Sequence, residues 1–127
     1  MIPATAHFIW FGQTLPFVYM VSLRSAAVRG GFQKVVLHHA DPLAANPYWS
    51  YLAATPNFES RPLDTDDLFA DFGDLGRDLA RRFSTLSQPA ARANMIRAAV
   101  LALEGGVYLD TDTITWRDLT PLRETAS

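Results

Sequence analysis

Two aspartates that lie two residues apart, Asp110 and Asp112, are the strongest candidates for functional residues in this chain. They come directly after the apolar run 107–109, and side chains two residues apart on a strand leave it on the same side. Adjacent carboxylates repel each other, and a hard divalent cation such as Mg²⁺ or Mn²⁺ offsets that repulsion and bridges to phosphates. The same residues also fit a strand that runs into an acidic turn, with Asp112 capping the next segment of the chain.

A long helix and a glycine pair come directly before these aspartates. Pro89 suits the first turn of that helix, and Glu104 closes it. Gly105 or Gly106 supplies the positive φ that turns the backbone out of the helix and into a strand near residues 107–111. The helix is predicted to face inward through the apolar positions Ala93, Ile96, Val100 and Leu103.

Two polar residues of the same helix, Asn94 and Arg97, lie three positions apart beside the apolar stripe. If the helix packs next to the strand, Arg97 reaches the crevice of the aspartates. A guanidinium there would orient acids and phosphates through paired hydrogen bonds. The alternative is a surface arginine in a salt bridge.

Short apolar runs alternate with helix-period segments along the rest of the chain, which predicts a single α/β domain with a mainly parallel sheet over residues 1–127. Strands are predicted near residues 7–11, 34–39, 58–62 and 107–111. Helices are predicted from Pro16 to about Arg29, Tyr48 to about Ala54, after the cap Asp64, from Arg77 to about Leu86, and from Pro89. The first helix is predicted to face inward through Phe17, Met20, Val21 and Val28.

Three side chains outside the aspartate segment also need an interpretation. Trp10 ends the first strand, where ligands bind in open α/β sheets, so it is either a stacking surface for a base or a core residue. His38 and His39 are adjacent on a strand and point to opposite faces, so they cannot both bind one metal, and we interpret both as structural.

Composition excludes several classes of protein. A chain of 127 residues with 49% hydrophobic and 19% charged residues is typical of one globular domain. The net charge of −2 argues against a nucleic-acid partner, and the absence of cysteine excludes disulfides and thiolate metal sites. The N-terminus lacks the pattern of a secretion signal, and no apolar run has the length of a membrane span. We expect a cytoplasmic protein.

Three segments taken together, His7 to Gly12, Arg97, and Gly105 to Asp112, resemble the sugar transferases that contain the DXD sugar-binding region. That family includes the fungal initiating mannosyltransferase, the glucosylating clostridial toxins and bacterial capsule-type transferases. The resemblance spans nearly the whole chain. It implies a GT-A fold, a Rossmann-like sheet that binds a nucleotide-diphosphate sugar, and transfer with retention of anomeric configuration.

The resemblance also implies a role for each matching residue. Trp10 matches the aromatic residue that stacks on the nucleotide base, and Arg97 matches the arginine that contacts the sugar or phosphate. Asp110 matches the carboxylate that contacts the ribose or sugar and the metal region. Asp112 matches the one that binds Mn²⁺ or Mg²⁺, and Tyr108 counts with the donor-binding residues.

One departure from the family pattern bears on the donor sugar. The family often has Ser-Asp before the arginine, whereas this chain has Ala93-Asn94. The Asn94 amide can still hydrogen-bond a sugar hydroxyl, but it lacks the carboxylate's charge. The identity of the nucleotide, the sugar and the acceptor stays open.

Relatives of this kind continue well past the motif, so we expect the chain to hold the donor-binding half, truncated at its C-terminus. Uncovered surface would then favour a homodimer or a partner chain. Two alternatives remain. One is a non-catalytic nucleotide-sugar-binding module. The other is a phosphatase of the haloacid-dehalogenase type, because Asp110 and Asp112 also match the two aspartates of that family's Asp-x-Asp-x-Thr signature, with Asp110 as its nucleophile.

Overall fold

A computed structural model describes residues 1–125 of the chain. It contains one sheet with helices on both faces. The strands are β1 (Thr5–Trp10), β2 (Lys34–His39), β3 (Phe58–Pro62) and β4 (Val107–Tyr108). The helices are α1 (Phe17–Arg29), α2 (Trp49–Ala53), α3 (Thr65–Ala70), α4 (Asp74–Thr85), α5 (Pro89–Glu104) and α6 (Thr120–Thr125).

The sheet has the order β3-β2-β1-β4, and all of its strand pairs are parallel. The pairing of β1 with β2 runs from Thr5 opposite Lys34 to Trp10 opposite His39. This order is that of the first four strands of a doubly wound nucleotide-binding sheet. The predicted α/β class with a mainly parallel sheet is therefore confirmed.

One face of the sheet packs against α1 and α2 and is almost purely apolar. Phe8 and Leu37 are completely buried there and meet Leu23 of α1. Continuous apolar strands of this kind are expected where a parallel sheet is covered on both faces. The buried members of this cluster are Ala6, Phe8, Leu15, Met20, Leu23, Ala26, Phe32, Val35, Leu37, Leu43 and Leu52.

The opposite face packs against α3, α4 and α5 around a smaller apolar cluster. Ile9 of β1 contributes to it, and Ile96 of α5 is completely buried in it. The buried members are Ile9, Phe69, Phe83, Ile96, Ala99 and Val100. The same face also carries His7, His38 and Arg61, so that apolar and polar side chains share it.

The inward face predicted for α1 is partly wrong. Phe17 and Val28 are 52% and 65% exposed, whereas Leu23 and Ala26 are completely buried. The sheet selects a face that includes small residues, which let the helix approach closely, and Phe17 instead packs edge-on against Tyr48 with ring centroids 5.1 Å apart.

The start of α4 also differs from the prediction. Gly76 is a buried residue inside that helix, which begins at Asp74 rather than near Arg77. A side chain at Gly76 would collide with the carbonyl of Phe69, so the glycine permits close packing of α3 against α4. Leu103, predicted to face inward from α5, is 40% exposed. The bounds of β2, β3 and α5 are confirmed.

In the part of the chain that the structure describes, no helix combines the length and the apolar character needed to cross a bilayer.

Candidate functional site

The turn between α5 and β4 brings the helix and the strand side by side within two residues. Gly105 has a φ of 69°, and its N–H donates to the carbonyl of Leu101 at 3.0 Å. Gly106 has a φ of 101°, and a Cβ at this position would collide with the carbonyl of Thr5. Both glycines are therefore required, where the sequence indicated a need for one.

Arg97 lies against the strand that leads to the aspartates, as the packing of α5 beside β4 predicts. Its guanidinium carbon is 5.3 Å from the centre of the Tyr108 ring. Within residues 1–125 this guanidinium takes part in no salt bridge, so the predicted alternative of a surface ion pair does not apply. The stacking holds the guanidinium in place and leaves its N–H groups free to bind another group.

The Tyr108 hydroxyl lies close to the charged residues of the candidate site. Burial raises the pKa of its hydroxyl to about 12, and the neighbouring Asp110 carboxylate contributes to that raised pKa. Arg97 and Asp112 act on the same hydroxyl, in opposite directions. The charges of Asp110, Arg97 and Asp112 therefore all act on the Tyr108 hydroxyl, and at neutral pH Tyr108 keeps its proton and can donate a hydrogen bond.

The predicted strand at residues 107–111 is too long, and this changes the geometry of the two aspartates. β4 comprises only Val107 and Tyr108, and the N–H of Leu109 makes the last hydrogen bond to β1, to the carbonyl of His7 at 3.0 Å, before the chain leaves the sheet. The carbonyl of Asp110 accepts hydrogen bonds from the N–H of Thr113 at 3.2 Å and from its hydroxyl at 2.7 Å. A Thr hydroxyl that satisfies the backbone in this way competes with a strand ladder. Asp110 and Asp112 therefore lie on an exposed turn, and strand periodicity does not explain their placement.

Trp10 lies at the carboxyl end of β1, at the same end of the sheet as the carboxyl end of β4. Its indole N–H donates to the carbonyl of Thr14 at 3.0 Å, and its ring packs on Tyr19 with centroids 4.7 Å apart. Because the indole N–H is occupied, the half-buried ring can offer a ligand only its face and edge.

Asn94 is exposed on α5, one turn before Arg97. Sequence reasoning missed its neighbour Arg92, whose guanidinium carbon lies 4.7 Å from the centre of the Phe83 ring and 5.3 Å from that of Phe11. It also missed Asp41, whose carboxylate accepts the N–H of Gly12 at 2.9 Å. The position of Asp41 just after β2 was the available signal, since ligands bind at that edge.

The carboxylates of Asp110 and Asp112 at this edge could bind a metal ion. Within residues 1–125 no group of three or more His, Cys, Asp or Glu side chains is arranged to hold one. Mg²⁺ and related ions are commonly bound by one or two carboxylates together with substrate phosphates and water. The oxygen donors of Asp110 and Asp112 fit that kind of site, and they do not fit an all-protein cage.

A family profile and a solved structure are similar to this chain. The profile of the family described as "Glycosyltransferase sugar-binding region containing DXD motif" matches residues 31–127, which include Arg97 and both aspartates. No curated protein matches the chain. Among solved structures, "PaToxG Glycosyltransferase" is similar with a TM-score of 0.49 and 15% sequence identity, covering 94% of this chain and 45% of that chain. Because the family profile covers most of its residues, the chain belongs to the glycosyltransferase family defined by the DXD-containing sugar-binding region.

Proposed function

We propose that the chain binds a nucleoside-diphosphate sugar at the carboxyl edge of its sheet and serves as the donor-binding part of a retaining glycosyltransferase. The proposal rests on the proximity of Arg97 and Tyr108 to the two aspartates at the end of β4. The family match supports it, since the matched region includes these residues.

In this proposal Asp110 and Asp112 hold Mn²⁺ or Mg²⁺ through carboxylate oxygens. When bound, such an ion stabilises the negative charge that develops on the diphosphate leaving group. Arg97 contributes to the same stabilisation, because its guanidinium is stacked on Tyr108 and needs no rearrangement to meet a phosphate. The Tyr108 hydroxyl, kept protonated by burial, donates to an oxygen of the donor.

Trp10 and Asn94 complete the proposed donor contacts. The Trp10 ring stacks on the nucleotide base, and its fixed indole N–H sets the angle of that ring. The exposed Asn94 amide hydrogen-bonds a sugar hydroxyl. The acceptor is not assigned, and formation of a homodimer stays a prediction that light scattering can test.

The test is calorimetric titration of nucleoside diphosphates and their sugars, with and without Mn²⁺. We expect metal-dependent binding that weakens at least about tenfold in Asp112→Asn, because loss of one ligand charge lowers the affinity for the cation that neutralises the diphosphate. Asp66→Asn, which removes an exposed carboxylate from α3, serves as the control and should change nothing.

Two results would contradict the proposal. Nucleotide affinity that is unaffected by both EDTA and Asp112→Asn would exclude the metal assignment. Phosphatase activity that is lost in Asp110→Asn, with no preference for sugar nucleotides, would instead support the dehalogenase-type alternative.

A further inference from the structure

His7 of β1 is a buried polar residue between apolar neighbours. Its side chain is 1% exposed, and Ala6 and Phe8 on either side of it are completely buried. Buried polar groups in proteins are almost always hydrogen-bonded. None of the proposed donor contacts uses His7, so the partners of its two ring nitrogens indicate what it does.

The partners of the His7 ring determine which nitrogen carries its proton. Nε2 lies 2.9 Å from the carbonyl oxygen of Gly105, which can only accept, so Nε2 is the donor. Burial lowers the pKa of His7, so the ring is neutral at neutral pH and Nδ1 is an acceptor. Nδ1 lies 3.0 Å from Nε2 of His38, which therefore donates to it. His38 thus holds His7 in the tautomer that can bind Gly105.

The backbone of His7 holds the other end of the segment that begins at Gly105. Its carbonyl accepts the N–H of Leu109 at 3.0 Å, and His7 is paired with Tyr108 in the parallel ladder. The side chain and the backbone of one residue therefore bind this segment at both of its ends. Asp110 follows the segment directly.

The glycine turn within this segment depends on contacts from outside it. Gly105 and Gly106 have φ angles of 69° and 101°, and glycine has a wide choice of backbone angles. β4 is only two residues long, so its ladder fixes the end of the segment and not the turn. The His7 ring also packs on the turn, because a Cβ at Gly106 would lie 3.2 Å from its Nε2. Without the hydrogen bond from His7, the position of Tyr108 would vary with the turn.

We propose that His7 is a positioning residue of the donor site, in which its hydrogen bond to the carbonyl of Gly105 holds the glycine turn and thereby places Tyr108 and the two aspartates for the donor. This role rests on the proposed function of that site. His7 acts through the backbone and does not contact the donor. A site held in its binding geometry before the ligand arrives loses less affinity to ordering, so loss of this hydrogen bond weakens donor binding.

Two substitutions of His7 separate its two side-chain hydrogen bonds. The amide nitrogen of Gln reaches the place of Nε2, so His7→Gln keeps a donor toward Gly105 and loses the contact with His38. Asn is shorter and places its amide near Nδ1, so His7→Asn keeps a contact with His38 and loses the donor toward Gly105. Each variant loses one buried hydrogen bond, and we expect similar decreases in the urea midpoint of unfolding.

The first test is calorimetric titration of the wild-type chain and both variants with ADP, GDP, CDP and UDP in the presence of Mn²⁺. For the diphosphate that the wild-type chain binds most tightly, we expect the affinity to fall at least about tenfold in His7→Asn and to stay within about threefold in His7→Gln. A purely structural role would weaken both variants alike.

The outcomes separate this role from the proposed function. Equal affinities of the two variants, or a greater loss in His7→Gln, would overturn the positioning role of His7. Wild-type binding that depends on Mn²⁺ and on Asp112 would still support the proposed function in that case. A wild-type chain that binds none of the four diphosphates would overturn both.

The second test uses the unmodified chain and does not depend on the folding of a variant. The ¹⁵N spectrum should show His7 with its proton on Nε2. Because coupling between a ligand and a contact is reciprocal, saturation with the same diphosphate and Mg²⁺ should slow exchange of that proton with water at least about tenfold. The N–H of Leu63, which donates to the carbonyl of His39 at 2.8 Å, is the control and should slow clearly less. A proton on Nδ1, or equal slowing at both groups, would overturn the proposal.

Discussion

The two faces of the sheet are formed by the same strands, but one face is stabilised by apolar packing and the other by specific hydrogen bonds. On the α1 side, Phe8 and Leu37 are completely buried among apolar neighbours and need no specific partner. On the α5 side lie polar residues that alternate along the strands with these apolar ones, namely His7, His38 and Arg61. Each of them forms hydrogen bonds with particular partner atoms. The first face therefore supplies stability, whereas the second supplies polar groups that need hydrogen-bond partners at particular positions.

The polar face is also the one that connects distant parts of the fold. His7 of β1 reaches the glycine turn before β4 through Gly105, and Arg61 of the edge strand β3 reaches Glu104 of α5. These contacts connect the end of α5 and the glycine turn to strands β1 and β3 of the sheet. A cavity lined by His38, Arg61 and Glu104 also opens on this face.

The largest expected effect comes from the apolar face. Phe8→Ala deletes a completely buried ring and leaves a cavity among Leu23, Val35 and their neighbours. We expect a loss of about 3–5 kcal/mol in the free energy of unfolding, measured by urea denaturation. Phe8→Leu, which keeps most of the apolar volume, should lose clearly less; equal losses would mean that packing at this face is not limiting.

The next effect in size is a pH dependence that arises only on the polar face. His38 has a pKa of about 4 in the folded chain, against the ordinary value of 6.5 when unfolded. Between these values the unfolded state binds more protons, so the stability present above pH 6.5 is lost as the pH falls toward 4. The loss amounts to about 3 kcal/mol. Urea denaturation at a series of pH values measures it.

The groups that face His38 make this test specific. Burial also lowers the pKa of His7, which adds to the same slope, and Glu59, Arg61 and Glu104 are the charged neighbours. Arg61 holds the pKa of Glu59 below its ordinary 4.5, so that carboxylate loses its stabilising effect only at still lower pH. His38→Gln should flatten the slope between pH 6.5 and 4, and an unchanged slope would show that the histidine pair does not titrate as described.

The smallest effect concerns the ion pairs at the edge of the polar face. Arg61 contacts Glu59 and Glu104, but all three side chains are more than a third exposed. Arg61→Gln should therefore cost only about 0.2–1 kcal/mol, and salt should reduce the difference further. Thermal unfolding of both proteins at low and high salt measures this. A loss comparable to that of Phe8→Ala would show that the network, rather than the apolar face, maintains the fold.

The candidate site could be predicted in part because its signals are local. The spacing of Asp110 and Asp112, the glycine pair and the position of Arg97 on α5 are all visible within sixteen residues of chain. The shape of the aspartate segment was not predictable in this way, because the length of β4 depends on how far β1 can pair with it. The threonine at 113 closes the turn once that pairing ends. The catalytic and binding roles of these residues stay predictions.

The elements whose signals are short in range could be predicted from the sequence alone. The apolar run at residues 35–37 indicated β2, Pro89 and the glycine pair bounded α5, and Asp64 caps α3 through the N–H of Asp67 as expected. Propensity, capping and positive φ act over a few residues, so they can be recognised before the fold is known.

The atoms that meet across the sheet could not be predicted without the tertiary fold. His7 and His38 are separated by 31 residues and Arg61 and Glu104 by 43, and no periodicity in the sequence joins either pair. The inward face of α1 was decided in the same way, because the sheet surface selected Leu23 and small neighbours over Phe17. Such contacts depend on strand order and register, which are set by the packing of the whole domain and not by any local segment.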